Sequence, residues 1–215
     1  MGYNAGYGGG YGPSNSSNVG VGKDALLSIT TGTENVVVGT SAGDALTTGG
    51  NNTIIGQQAG SATTDVDKAI IVGYGAGNSN MTSAADGTVA IGSLALNALT
   101  TGARNEAIGY QTLDALTVGD DNLAIGYQAM SALSTTDVSD KNIAIGNYAM
   151  DGVSTLAATE NVFIGYGSGG GSWTSALSQR NVAVANYTMD GAMNGCVDDT
   201  AVGHLALTTL TTGNA

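Results

Sequence analysis

The sequence writes one short phrase eleven times. Its core is Asn-x-Ala/Val/Ile-Ile/Val-Gly-x-x-Ala. The glycine stands at Gly22, Gly39, Gly56, Gly73, Gly92, Gly109, Gly126, Gly146, Gly165 and Gly203, and Ala185 takes its place once. Consecutive repeats lie 17–20 residues apart. A period this short, kept over almost the whole chain, constrains it to a solenoid with one coil per repeat. Repeats supply a surface more readily than a unique pocket, so the pattern argues against an enzyme.

Counting from the glycine gives the columns of the coil. The residue just before it is β-branched in all eleven repeats, from Val21 and Val38 to Val184 and Val202, which favours a pleated strand. The column two before is apolar except at Gly20. The column three before is mostly apolar, with Thr53, Glu106 and Thr200 as exceptions. Neighbouring strand residues point to opposite faces, so both faces of this strand are apolar, as in a buried parallel sheet. Four before the glycine, Asn recurs in eight repeats (Asn18, Asn35, Asn52, Asn105, Asn122, Asn142, Asn161 and Asn181) and predicts a stacked polar ladder. The glycine implies positive φ at the strand exit. Three after it, Ala or a small substitute implies tight inward packing. A Leu- and Thr-rich return follows, such as Ala98 to Gly102; it is either a short helical turn or a second strand.

Five before the glycine, four of the five basic residues of the chain fall in one column. From Arg104 onward the sign alternates: Arg104, Asp121, Lys141, Glu160, Arg180, Asp198. Parallel neighbours sit about 4.8 Å apart, so in-register stacking sets opposite charges face to face. Each exposed pair is worth only about 0–1 kcal/mol, but a slip of one coil would oppose like charges, so the column specifies register.

The expected fold is therefore all-β, a parallel β-solenoid (β-roll) of about eleven 17–20-residue coils spanning residues 18–215. Residues 1–17 form a separate Gly/Tyr-rich segment, in which Tyr3, Tyr7 and Tyr11 recur at a spacing of four. Tyrosines give contact area at low entropic cost, so this segment is read as a docking tail. A single proline fits a ladder that needs its N–H groups. No stretch of 18 apolar residues predicts a membrane span, and no basic region followed by an apolar run predicts a secretory signal. The net charge of −12 argues against a nucleic-acid partner. Cys196 is the sole cysteine, so no intrachain disulfide forms. Insertions at Thr63–Asp67, Asn78–Asp86, Thr135–Asp140, Thr155–Thr159, Gly169–Ser178 and Gly191–Asp198 fall in the return half of a coil, where solenoids carry binding loops.

The wording Asn105-Glu106-Ala107-Ile108-Gly109-Tyr110 and Asn122-Leu123-Ala124-Ile125-Gly126-Tyr127-Gln128-Ala129-Met130 resembles two related sets of repeats. One builds the heads of trimeric autotransporter adhesins. The other, closer in wording, occurs in phage tail fibres and virion surface proteins. The resemblance covers about nine tenths of the chain and implies three parallel chains packed along a common axis. The two-sided apolar strand supports a homotrimer independently, because one thin solenoid buries only one of its faces. The adhesins carry a secretion signal, a coiled-coil stalk and a membrane anchor, and the residues of this sequence predict none of them.

Chemistry is sparse. His204, the sole histidine, lies one after the glycine, where other repeats carry Tyr, Lys, Thr or Asn, and reads as a surface residue. Gly73-Tyr74-Gly75-Ala76-Gly77 has no Walker lysine after it. The acids Asp65, Asp67, Asp120, Asp121, Asp137, Asp140, Asp198 and Asp199 sit at coil edges. Such oxygens suit Ca²⁺, but no Gly-Gly-x-Gly-x-Asp signature appears, so no cofactor is expected. Tyr74, Tyr110, Tyr127 and Tyr166 share one column and, with Trp173, are the candidate surface contacts. The sequence thus predicts a non-enzymatic structural protein of a phage particle, a short fibre or capsid/tail decoration on the virion surface. It would bind other virion proteins and possess the option of a host-surface glycan. A head-to-tail extracellular filament subunit and a glycan-binding adhesin module are the alternatives.

Overall fold

Each repeat commits its three residues before the glycine to a three-residue strand, and the strands stack in parallel. The computed structural model describes residues 3, 5, 6, 17–133, 139–152, 158–173 and 177–210. They fall into two compact units, Met1–Asn105 and Glu106–Ala215. The first unit carries β1 (Val19–Val21), β2 (Val36–Val38), β3 (Thr53–Ile55), β4 (Ile70–Val72) and β5 (Val89–Ile91), paired in that order. A short 3₁₀ turn, Ser83–Ala85, occupies the insertion before β5. The second unit carries β6 (Glu106–Ile108), β7 (Leu123–Ile125), β8 (Ile143–Ile145), β9 (Ala158–Thr159), β10 (Val162–Ile164), β11 (Ser178–Gln179), β12 (Val182–Val184) and β13 (Thr200–Val202). There β6, β7, β8, β10, β12 and β13 form the main parallel stack, while β9 and β11 make a second small parallel pair. The fold is an all-β parallel solenoid.

Register follows the columns of the sequence. Val36 pairs with Thr53, Val37 with Ile54 and Val38 with Ile55; in the second unit Ala124 pairs with Ala144 and Ile125 with Ile145. The middle strand residue points inward, and Val37, Ile54, Ile71, Ala124, Ala144 and Phe163 are fully buried. The residues on either side point outward and stay half exposed.

Apart from the Ser83–Ala85 turn and the short β9 and β11 strands, the described returns are neither helix nor strand. Two and four residues after the glycine the backbone is left-handed, as at Leu94 (φ 60) and Leu96 (φ 49) or Gln128 (φ 51) and Met130 (φ 52). The alternation turns successive N–H groups toward opposite neighbours. Ser41 donates back to the Lys23 carbonyl at 2.8 Å, and Gly43 donates forward to the Ala59 carbonyl at 2.9 Å. The ladder between coils therefore continues without strand geometry. Each left-handed L-residue costs about 1–2 kcal/mol. Burial of Leu26, Leu96, Leu113, Met130 and Met150 at the second of these positions offsets that cost.

The Asn column is a buried amide ladder. In the second unit Asn142 donates its backbone N–H and its Nδ2 to Asn122 Oδ1, each at 3.0 Å, and Nδ2 also donates to the Ala158 carbonyl at 2.7 Å. Asn161 and Asn181 repeat the pattern. The first unit has the same chain through Asn18, Asn35 and Asn52, ending where Ala69 donates its N–H to Asn52 Oδ1 at 2.8 Å. In the second unit Asp199 closes the row: its N–H reaches Asn181 Oδ1 at 3.0 Å, while its buried Oδ2 has no partner.

The repeat glycines have φ between 124° and 143°. Ala185 sits in the same conformation at φ 127°, which an L-residue adopts only under strain. Ala185→Gly is expected to raise stability by about 1 kcal/mol, read as a rise in thermal midpoint with no change in circular dichroism.

The N-terminal segment is less separate than its composition suggests. Asp24 donates its N–H to the Tyr3 carbonyl at 2.9 Å, and Gly6 (φ 65) donates to the Ala25 carbonyl at 2.8 Å. These are the contacts that the first and fourth residues after a repeat glycine make elsewhere. Gly2-Tyr3-Asn4-Ala5-Gly6 thus repeats the order of Gly73-Tyr74-Gly75-Ala76-Gly77, 20 residues ahead of Gly22. Tyr3 is exposed and lies on the chain's own first coil; Tyr7 and Tyr11 fall outside the described residues.

Candidate functional site

The strand exit puts side chains one and two residues past the glycine at an exposed corner of each coil. In the second unit this corner carries a continuous ladder of six rings. Tyr110 stacks on Tyr127 with centroids 5.3 Å apart and planes at 13°. Tyr127 meets Tyr148 edge-on at 5.3 Å, Tyr148 meets Tyr166 at 5.7 Å, and Tyr166 meets Tyr187 at 5.3 Å. His204 ends the row 6.1 Å from Tyr187, its Nδ1 3.2 Å from the Asn186 carbonyl oxygen. Loss of solvent inside the row, followed by the neighbouring phenols, holds the Tyr148 and Tyr187 hydroxyls above the ordinary phenol range.

The sequence column named Tyr110, Tyr127 and Tyr166 but missed Tyr148 and Tyr187. These lie one position later, because Asn147 and Asn186 hold the usual tyrosine place. There the amide oxygens accept the N–H of Tyr127 at 3.0 Å and of Tyr166 at 2.9 Å. An Asn-Tyr pair in place of a tyrosine was the available signal. Tyr74 belongs to the first unit and is 53% exposed.

Trp173 is not a surface contact. It is 2% exposed and packs edge-to-face on Phe163 at 5.6 Å. Phe163 fills an inward position that holds alanine in the neighbouring strands, and a Cβ on Gly169 would lie 2.5 Å from its ring. The Gly-rich loop is small because a large ring occupies the space. The indole Nε1 is buried without a partner.

The charge column forms pairs at the coil edge. Lys141 Nζ lies 3.7 Å from Glu160 Oε1, and Arg180 grips Asp198 through two hydrogen bonds of 2.6 and 3.1 Å. The Arg180 bond holds the Asp198 carboxyl below its usual range, and the same bond raises the guanidinium. Asp121 and Arg104 share the column's backbone geometry: all eleven residues there have φ of 55–74°. Lys141→Glu is expected to lower stability by less than about 1 kcal/mol. The loss should shrink with added salt, as a pair of thermal melts at low and high ionic strength would show.

Several turn acids are committed to backbone, while Asp137 falls outside the described residues. Asp67 Oδ1 accepts the Gly50 N–H at 2.6 Å, Asp86 Oδ1 accepts that of Asp67 at 2.8 Å, and Asp140 Oδ1 accepts that of Asp120 at 2.7 Å. Among the described residues no three His, Cys, Asp or Glu side chains group to hold a metal ion, and no helix is long and apolar enough to cross a membrane. Cys196 is buried. No family model, no curated protein and no solved structure matches the chain.

Proposed function

We propose that the chain is a non-enzymatic structural protein of a phage particle, displayed on the virion surface as a homotrimeric β-solenoid in a short fibre or decoration. One observation carries the reading. The outward columns of the sheet are mostly apolar in both units, with Thr53, Glu106 and Thr200 as exceptions, yet uncovered in the single chain. Val36, Ile55 and Ile70 in the first unit and Ile108 and Ile164 in the second are at least 36% exposed. Contiguous apolar surface of this kind marks an interface. Three copies facing one another across a common axis would cover all of it. The virion assignment rests on the wording of the repeats, which resembles phage fibres and surface proteins.

Sedimentation tests the assembly. The expected species has three times the 21.1 kDa chain mass. Ile125→Glu with Ile145→Glu should yield a folded monomer, since both side chains sit on the outward face. A wild-type chain that stays monomeric and soluble at micromolar concentration sinks the trimer. Electron microscopy of labelled particles tests the location; continuous rods of the purified protein would instead support a head-to-tail filament.

A further inference from the structure

The tyrosine ladder is carried one and two residues past the glycine rather than by the strand residues, and its rings are not among the buried core side chains. Four of its five ring contacts are edge-to-face. In such a pair one ring presents its edge, so its own face turns off the ladder axis. Tyr110, Tyr127, Tyr166 and Tyr187 are 37–42% exposed.

The second unit is strongly acidic. From Glu106 onward the sequence has eleven acidic residues, against Lys141 and Arg180 as its only Lys or Arg. Both cations face acids in the charge column. Asp151 lies within electrostatic reach of Tyr148, and Asp190 within reach of Tyr187. Asp151 also accepts a hydrogen bond from the Ser131 hydroxyl. Burial raises the Asp190 carboxyl above its usual range, so a cation placed beside it would relieve a desolvated charge.

We propose that this edge of the second unit is a docking strip for an extended, Arg/Lys-rich polypeptide segment, whose cationic side chains lie on the tyrosine faces and against Asp151 and Asp190. An extended strand rises about 3.3 Å per residue, so its same-side groups recur about every 6.6 Å. The ring centroids lie 5.3–6.1 Å apart but advance only about 4.8 Å per coil along the stack, so roughly three same-side cations meet every four rings. Arginine over a tyrosine face is a favourable pairing. A neutral glycan would gain nothing from the acidic surroundings, and a nucleic acid would be repelled by them.

Calorimetric titration of the full-length protein with deca-arginine at physiological salt tests the strip. Saturable binding is expected, weakened about tenfold by Tyr127→Leu with Tyr166→Leu. Tyr74→Leu, in the first unit, should change nothing. Asp151→Asn with Asp190→Asn should weaken binding several-fold with every ring intact. Thermal melts establish that each variant is folded. If the leucine pair is not, ring-proton NMR of the wild-type protein decides: the ladder tyrosines should shift on adding peptide and Tyr74 should not. Absence of binding, equal affinity in the ladder variants, or uniform shifts of all tyrosines would overturn the proposal. So would saturable binding of a neutral cello-oligosaccharide at the ladder in preference to the peptide. None of these readouts depends on the trimer.

Discussion

Replacing Gly126 by alanine is expected to cost about 3–4 kcal/mol of stability. Two effects combine. The residue holds φ at 136°, a region that L-residues rarely enter. A Cβ there would also lie 2.5 Å from the Gly146 oxygen, 2.6 Å from its carbonyl carbon and 2.9 Å from the Asn147 nitrogen. These are backbone atoms of the next coil, so no rotamer change can relieve the overlap. The coils would have to part locally, loosening the pairing of Ile125 with Ile145. Denaturant titration should show a lower midpoint. A variant as stable as the parent would mean that the coil spacing adjusts without loss, contrary to the close packing seen here.

Asn142→Ala is expected to cost about 3–5 kcal/mol. The substitution strips the partner from Asn161 N–H and Nδ2, from the Ala158 carbonyl and from one side of Asn122 Oδ1. All of these sit in the buried interior, and water cannot replace what is lost. Each buried polar group left unsatisfied costs about 1–3 kcal/mol. Asn142→Asp is a useful companion: it keeps the acceptor but removes the Nδ2 donor, so it also should destabilise. Should Asn142→Ala unfold at the parental denaturant midpoint, the ladder contributes register only and not stability.

The sequence carried the strands and their register plainly. The β-branched residue before each glycine recurs in every repeat, and every pair across the sheet joins equivalent columns. The Asn ladder was equally visible, because only a stacked amide explains one residue type at one depth. The return was not. Its fold depends on left-handed backbone at Leu, Met, Gln and Tyr, which carry no propensity for that region. Only coils with glycine at these positions, such as Gly75 and Gly77, gave the signal openly. The charge column hid the same geometry behind its alternating signs. Trp173 was misread as a contact because exposure of an insertion is ordinarily a fair assumption. Its burial follows from one departure elsewhere, the Phe163 ring in an alanine column. Tyr148 and Tyr187 escaped a search by column because they reach the ladder from the adjacent position.

The amides of Asn122, Asn142, Asn161 and Asn181 all point the same way, nitrogen toward the preceding coil and oxygen toward the next. Aligned amide dipoles reinforce one another, so the row is a polarised chain with an electropositive head and an electronegative tail. The carboxylate of Asp199 sits at that tail, with one buried oxygen unpartnered. An arrow is thereby built into the interior of the second unit. Each amide in the row turns its donors toward the coil before it and its acceptor toward the coil after it, so this stack distinguishes its two directions even where the repeats themselves look alike.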